Sequence, residues 1–256
     1  MFHRRKGLPD DWDLVISESW AAWSGFSVDE RAGLADIADW LLRHKHWEAA
    51  HGFELTDEIA TTVALEASLL VLELGTDFYD GVSAIVVHPT TILSRGTYAG
   101  PVPGTIVAGP APLLGEAHDR RGPILIAWDE ARRAARHPGS GRNVVFHEFA
   151  HKIDMLDGMT DGTPPLKRDA VPRWVEVCTP VYESLRDGVP RPPLDMYGGT
   201  NPAEFFAVAT EVFFDVPAEL HEHERELYEV LRDFYEQDPA VPFRPPLGQI
   251  GEPERT

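Results

Sequence analysis

The chain has 256 residues, and its 23 Lys and Arg against 42 Asp and Glu give a formal net charge of −19. This balance argues against a nucleic-acid-binding protein and against docking on anionic lipid, because both need clustered Lys and Arg. Hydrophobic residues make up 43% of the chain and include seven Trp and twelve Phe, which excludes disorder throughout and supplies a substantial core.

The cysteine content and the N-terminus indicate where the protein acts. Cys178 is the single cysteine, which excludes an intrachain disulfide framework and a cysteine-rich zinc finger. The basic residues 3–6 are followed by the polar stretch 7–11, where a signal peptide needs an apolar core. Glu66 and Glu73 interrupt the most apolar segment before it reaches the ~18 residues of a membrane span. We therefore predict a cytoplasmic protein that contacts neither nucleic acid nor membrane.

Hydrophobic periodicity in the first half predicts helices with few strands. Residues 12–50 carry an apolar stripe at helical spacing, and residues 57–74 form a second helical segment that ends before Gly75. The apolar runs 83–87 and 123–128 predict strands. Residues 95–121, between these strands, are rich in Gly and Pro.

The second half reads as helices separated by loops. Helices are predicted at about 129–137, from about 143, at 173–186, from Pro202 and at about 217–236, with a long loop over 156–172. The tail 239–256, rich in Pro, Gly and charge, is predicted to be loosely ordered. Many helices with few strands indicate the α+β class.

A His-Glu-x-x-His motif at His147–His151 carries the chemistry, and Asn143 stands at the start of its segment as a candidate helix cap. A spacing of four places both imidazoles on one helical face, where they can share a Zn²⁺ at about 2.0–2.1 Å. Glu148 then lies beside the pair and can take a proton from a zinc-activated water. The alternative is two surface histidines on an ordinary helix. The helical context favours the zinc site.

A catalytic zinc site needs a third protein ligand and an open position. Two carboxylates follow downstream, since Pro202 places Glu204 in the first turn of a helix and Glu211 two turns further along nearly the same face. Both are embedded among Phe and Val, where a charge needs a partner. Spacing alone leaves open which of the two completes the site.

Two further features also allow two interpretations each. Asp154 lies three residues after His151 and is either an acceptor that orients the His151 ring or a helix-end carboxylate. The strand 123–128 is either an edge along which an extended peptide lies or a buried core strand.

The extended blocks His-Glu-x-x-His-Lys-x-Asp and Tyr-x6-Glu are specific in combination. The chain resembles the Mlc titration factor A (MtfA) family of zinc peptidases from about residue 20 to residue 239, on the segments 52–55, 71–75, 122–124, 144–154 and 197–208. In that family, and in the similar catalytic domain of anthrax lethal factor, the third zinc ligand is the Glu seven residues after a Tyr.

The resemblance assigns roles and a fold to this chain. It implies His147, His151 and Glu204 as ligands of one Zn²⁺, Glu148 as general base and Tyr197 as a donor that stabilises the transition state. It also implies a mostly helical, zincin-like metallopeptidase fold with a small sheet beside the active-site helix. We expect a helical N-terminal portion at 1–80, a catalytic portion at 81–238 and the tail 239–256.

The resemblance further implies aminopeptidase-type cleavage of short peptides. The rival interpretation is a regulatory binding protein, because members of that family are associated with sequestering the transcriptional repressor Mlc. A third possibility is a hydrolase of non-peptide amides, which would have the same zinc and base. An intact Glu148 favours catalysis, since a purely structural zinc site has no use for a base beside its ligands.

Overall fold

The computed structural model describes residues 6–50, 52–90, 93–99, 106–112 and 122–241. The predicted tail lies outside the described residues from position 242 onward. Within the described part the α-helices are α1 (Trp12–Ser19), α2 (Val28–His44), α3 (Asp57–Leu70), α4 (Trp128–Arg136), α5 (Val144–Asp154), α6 (Val171–Arg186), α7 (Pro202–Asp215), α8 (Pro217–His223) and α9 (Arg225–Tyr235).

Two small sheets accompany the helices. Strands β1 (His46–Ala49), β2 (Ala84–His88) and β5 (Ile124–Ala127) form a parallel sheet in the order β1-β2-β5. Strands β3 (Leu93–Ala99) and β4 (Ile106–Pro112) form a separate antiparallel pair. The parallel register aligns Ile85 of β2 with Trp47 of β1 and with Ile124 of β5, and all three side chains are buried.

Several predicted boundaries are wrong. The helical stretch 12–50 is divided into α1 and α2 by a 3-10 turn at Ala21–Gly25, and it ends at His44 because residues 46–49 pair with β2 and bury Trp47. The Gly- and Pro-rich stretch 95–121 contains most of the hairpin of β3 and β4, where the strands are decided by cross-strand pairing rather than by local propensity.

The ends of two predicted helices also differ from the structure. The helix expected over 57–74 ends at Leu70, and residues 71–74 form turns. The last helix, expected over 217–236, is split at Glu224, whose backbone leaves the helical conformation. The Glu224 carboxylate accepts hydrogen bonds from Nε and Nη2 of Arg191, both at 2.6 Å. This bidentate ion pair connects the junction between α8 and α9 to the Pro-rich stretch 189–193 that precedes α7.

Helix α5, the helix of the His-Glu-x-x-His motif, lies at the centre of the fold. It packs against α3, α7 and β5, and every residue from Val145 to Asp154 is buried. One hydrophobic core runs from Ile16 to Tyr235 and includes Cys178. The predicted α+β fold, mostly helical with a small sheet beside this helix, is confirmed. Among the described residues, no helix combines the length and apolar character that a bilayer crossing requires.

Candidate metal centre

Two histidines face one another on α5. The helix begins after Asn143, whose Oδ1 accepts hydrogen bonds from the backbone N–H groups of Val145 at 2.9 Å and Phe146 at 3.1 Å. One helical turn apart, His147 and His151 turn their Nε2 atoms toward each other at 3.2 Å, and both rings are buried. The predicted cap and the predicted shared face of the two imidazoles are both present.

A carboxylate from α7 completes this group. Pro202 occupies the first turn of α7, and the side chain of Asn201 caps the helix by accepting from the backbone N–H of Glu204 at 3.0 Å. This start brings Glu204 against α5, with its Oε2 atom 3.0 Å from Nε2 of His147 and 3.4 Å from Nε2 of His151.

The three side-chain atoms that converge here have the spacing that a tetrahedral zinc site requires. Their separations of 3.0, 3.2 and 3.4 Å compare with about 3.3 Å between ligand atoms that each lie about 2.0–2.1 Å from a tetrahedral metal. Glu204 Oε2 is buried and faces the Nε2 atoms of both histidines. Burial opposes ionisation, but the two histidines lower the pKa of Glu204 to about 2, so the carboxylate is charged. These residues fit a divalent cation such as zinc.

The other carboxylate of α7 lies behind His147. Glu211 Oε1 accepts from Nδ1 of His147 at 2.7 Å, and Oε2 accepts from the backbone N–H of Asn143 at 2.6 Å. Spacing alone left Glu204 and Glu211 equivalent, and the structure separates them. Glu204 Oε2 lies close to Nε2 of both histidines, while Glu211 accepts a hydrogen bond from Nδ1 of His147.

A third carboxylate on α7 holds the loop that leads into α5. Asp215 accepts from the backbone N–H groups of Gly139 at 3.0 Å and of Gly141 at 2.6 Å. The three carboxylates of α7 therefore contact, in chain order, the Nε2 atoms of the two histidines, Nδ1 of His147 and the entry loop. Sequence reasoning missed Asp215, and its position four residues after Glu211 on the same helical face was the available signal.

Glu148, the predicted base, is buried beside the two histidines. Burial raises the pKa of its carboxyl, and the positive charge of neighbouring His147 and His151 opposes that shift. A carboxyl whose pKa moves toward neutrality is better matched to taking and returning a proton near pH 7.

Tyr197 lies on a short 3-10 turn, Met196–Gly199, beside His147 and Glu204. Asp195 Oδ1 accepts from the backbone N–H of Tyr197 at 2.8 Å, and the Asp195 carboxylate also pairs with Arg142 from the entry loop. The Tyr197 ring is 37% exposed, and its centroid lies 6.2 Å from that of His147. Burial and the adjacent Glu204 carboxylate raise the pKa of the phenol, so it stays a hydrogen-bond donor.

Asp154 contacts a loop rather than a metal-ligand ring. Its Oδ2 accepts from the backbone N–H of Gly162 at 3.2 Å, while Oδ1 has no hydrogen-bond partner in the described part of the chain. Burial raises the pKa of Asp154 to about 6. Gly162 in turn packs against Pro202, so this contact joins the end of α5 to the beginning of α7. The helix-end interpretation of Asp154 is the one that these contacts favour.

The chain combines a mostly helical fold, a buried His-Glu-x-x-His helix and a converging carboxylate. This combination places it in the class of metallopeptidases. A sequence profile of the family described as glucose-regulated metallo-peptidase M90 matches residues 2–236. The chain belongs to this family.

Individual relatives agree with this assignment. The chain is 33% identical over 247 residues to an uncharacterized protein of Synechocystis sp. (strain ATCC 27184 / PCC 6803 / Kazusa), covering 93% of this chain and 87% of the relative. It is 31% identical over 218 residues to the Mlc titration factor A of Serratia proteamaculans (strain 568), covering 83% and 82%. The Mlc titration factor A of Yersinia pestis (strain Pestoides F) is also 31% identical, with 83% and 79% covered. The resemblance to the MtfA family is confirmed.

Proposed function

We propose that the protein is a zinc-dependent peptidase, of aminopeptidase type, in which His147, His151 and Glu204 hold one zinc ion. The observation that carries this proposal is the triangle of buried ligand atoms, with sides of 3.0–3.4 Å. The Glu148 carboxyl, on the same helix, supplies a base beside this triangle.

The side chains divide the work of peptide hydrolysis among them. When bound, zinc supplies positive charge that acidifies an attacking water and polarises the scissile carbonyl. Glu148 accepts the proton of that water and passes it to the leaving amine. Tyr197 donates its phenolic proton in a hydrogen bond to the carbonyl oxygen as negative charge develops there. Glu211 keeps the proton of His147 on Nδ1 and so leaves Nε2 free to bind the metal.

The resemblance to the MtfA family supports cleavage at a free amino terminus, because it implies aminopeptidase-type activity. The net charge of −19 is compatible with a protonated amine as substrate and is equally explained by solubility. The division into portions 1–80 and 81–238 and a cytoplasmic location stay predictions alongside this proposal.

A regulatory binding function is the second candidate. It is supported by the relatives named Mlc titration factor A, because that name describes capture of the protein Mlc. In this alternative the chain acts by contact with a repressor, and peptidase activity is weak or residual.

One experiment separates the candidates. Zinc content is measured for the wild type and for Glu148→Gln, and both proteins are assayed on amino-acid p-nitroanilides and on short peptides with free or acetylated amino termini. We expect one zinc per chain in both proteins, and cleavage by the wild type alone, of the free-amine substrates.

The other outcomes are equally informative. Cleavage of acetylated peptides would contradict the aminopeptidase type while keeping the peptidase. One zinc without cleavage by either protein would favour the regulatory function. Absence of zinc from both proteins would overturn the metal site.

A further inference from the structure

The middle of α3 holds a carboxyl group in an apolar setting. Every residue from Ile59 to Leu70 is buried, and Glu66 among them has no exposed surface. Glu66 Oε1 accepts from Nδ2 of Asn143 at 2.8 Å across 77 residues of sequence, while Oε2 has no hydrogen-bond partner among the described residues. A buried, half-satisfied carboxyl costs stability that an apolar side chain of similar size would not cost.

Asn143 connects this carboxyl to the metal centre. Its Oδ1 caps α5, its Nδ2 donates to Glu66, and its backbone N–H donates to Oε2 of Glu211 at 2.6 Å. Oε1 of the same Glu211 carboxylate accepts from Nδ1 of His147 at 2.7 Å. An unbroken series of buried hydrogen bonds thus runs from α3 to a proposed zinc ligand.

We propose that Glu66 is a positioning residue for the metal centre, which orients Asn143 and, through Glu211, sets the imidazole of His147. This inference rests on the proposed zinc site. It makes the helical N-terminal portion a contributor to metal binding, although none of the proposed ligands belongs to that portion. The cost of burying Glu66 is then offset by the geometry that it imposes on the site.

The protonation state of the Glu66 carboxyl suggests a conservative replacement. Burial raises the pKa of Glu66 to about 8, and the nearby negative charge of Asp215 adds to the shift. The neutral carboxyl that results near pH 7 has nearly the same shape and the same carbonyl acceptor as a glutamine amide. Glu66→Gln therefore preserves the bond from Asn143, whereas Glu66→Leu removes the acceptor at similar volume.

The test is zinc affinity of the full chain, measured by competition with a chelator, together with thermal unfolding of the metal-free protein. We expect Glu66→Leu to weaken zinc binding about 10-fold, at the low end of the effect of groups behind metal ligands. Glu66→Gln should stay within about 3-fold of the wild type. Ser68→Ala is the matched control, since Ser68 is equally buried on α3 but donates only to Ala64 of its own helix.

A second variant covers the case in which Glu66→Leu does not fold. Asn143→Ser keeps a side-chain oxygen to cap α5 but removes the Nδ2 donor, so it should weaken zinc binding as Glu66→Leu does. If both substitutions act through the same hydrogen bond, the double variant should bind zinc as tightly as the single variant that has the lower zinc affinity. Substitution of zinc by Co²⁺ adds a readout that stability does not move, because its visible spectrum reports the ligand arrangement.

The outcomes distinguish the two proposals. Tight zinc binding by the wild type, with Glu66→Leu and Asn143→Ser both folded and within about 3-fold of it, would overturn the positioning role alone. Equal losses in Glu66→Leu and Ser68→Ala would also overturn it, because the effect would then reflect packing of α3. Absence of zinc binding by the wild type would overturn the proposed function and this inference together.

Discussion

His147 and Glu211 form a buried hydrogen bond of 2.7 Å, from Nδ1 of the imidazole to Oε1 of the carboxylate. Because the proton of the neutral ring is then on Nδ1, the lone pair of Nε2 points at Nε2 of His151 and at Oε2 of Glu204. Three such electron-rich atoms repel each other unless a proton or a metal ion lies between them. Although burial lowers the pKa of His147, hydrogen bonds to Glu204 and Glu211 raise it well above its ordinary value, so a proton takes this place until a metal ion replaces it. The hydrogen bond from Nδ1 of His147 gives Glu211 a different contact from that of Glu204, and the first prediction follows from this difference.

Removal of Glu204 and removal of Glu211 should differ in their effect on metal binding. Glu204→Ala deletes a proposed ligand atom, so the protein should retain little zinc after dialysis. Glu211→Ala leaves all three ligand atoms and should bind one zinc about 10–100-fold more weakly. Zinc stoichiometry and chelator competition measure both effects, with the exposed Glu222 changed to Ala as the control. Greater loss of zinc in Glu211→Ala would reverse the assignment.

Tyr197→Phe should slow the chemical step without changing metal content. The variant keeps the ring near His147 but removes the hydroxyl that is proposed to donate to the developing oxyanion. Loss of one such donor typically lowers kcat by about 10²–10³-fold. Steady-state kinetics on the best substrate of the panel and zinc analysis provide the measurement. An unchanged kcat would exclude this role, and loss of zinc would assign the tyrosine to the metal site instead.

Glu66 should make stability depend on pH in a defined window. Its pKa is about 8 in the folded protein, against an ordinary value of 4.5. Between these values the folded chain holds a proton that the unfolded chain has released, so the free energy of unfolding decreases as pH rises through the window and levels off above about pH 8. Asp215 and the Asn143-bound Glu211 are the charged groups that face this region.

The measurement compares denaturant unfolding of metal-free wild type and Glu66→Gln at pH 5.5 and pH 7.5. Glutamine does not titrate. The free energy of unfolding of the variant, relative to that of the wild type, should therefore rise by about 1.4 kcal/mol per pH unit across the window. Titrations of all other groups are common to both proteins and cancel in the difference. Parallel pH profiles would show that the Glu66 carboxyl is not shifted.

Gly162→Ala should be much more disruptive than Gly188→Ala. Both glycines have positive φ, 74° and 81°, so each alanine carries a backbone cost of about 1 kcal/mol. A Cβ on Gly162 would lie 2.1 Å from the carbonyl oxygen of Pro202, whereas a Cβ on Gly188 would meet nothing within 4 Å. The clash should add about 1–3 kcal/mol.

The second effect of Gly162→Ala should be on the metal site. Pro202 begins the helix that carries Glu204, so displacement of Pro202 should weaken zinc binding as well as lower the free energy of unfolding. Thermal unfolding and chelator competition on the two alanine variants test this. Equal effects of both substitutions would mean that the loop is free to move away from α7.

Local sequence was sufficient to predict α5 and the shared face of its two histidines. The Asn143 cap and the spacing of His147 and His151 follow from side chains a few residues apart, and the structure begins α5 within one residue of the predicted position. The Pro202 start of α7 was predictable for the same reason, because capping and proline preferences act over one helical turn. The class of site was therefore determined by the sequence itself.

Tertiary structure decided everything that depends on how separate elements meet. Glu204 and Glu211 lie seven residues apart on one helical face, so only the placement of α7 against α5 brings Glu204 to Nε2 of His147 and Glu211 to Nδ1 of the same ring. The strand β1 exists because it pairs with β2, against the local helical pattern. Glu66 meets Asn143 from 77 residues away. A hydrogen bond between distant segments produces no periodic pattern in the sequence. Such contacts could therefore be identified only from the tertiary structure.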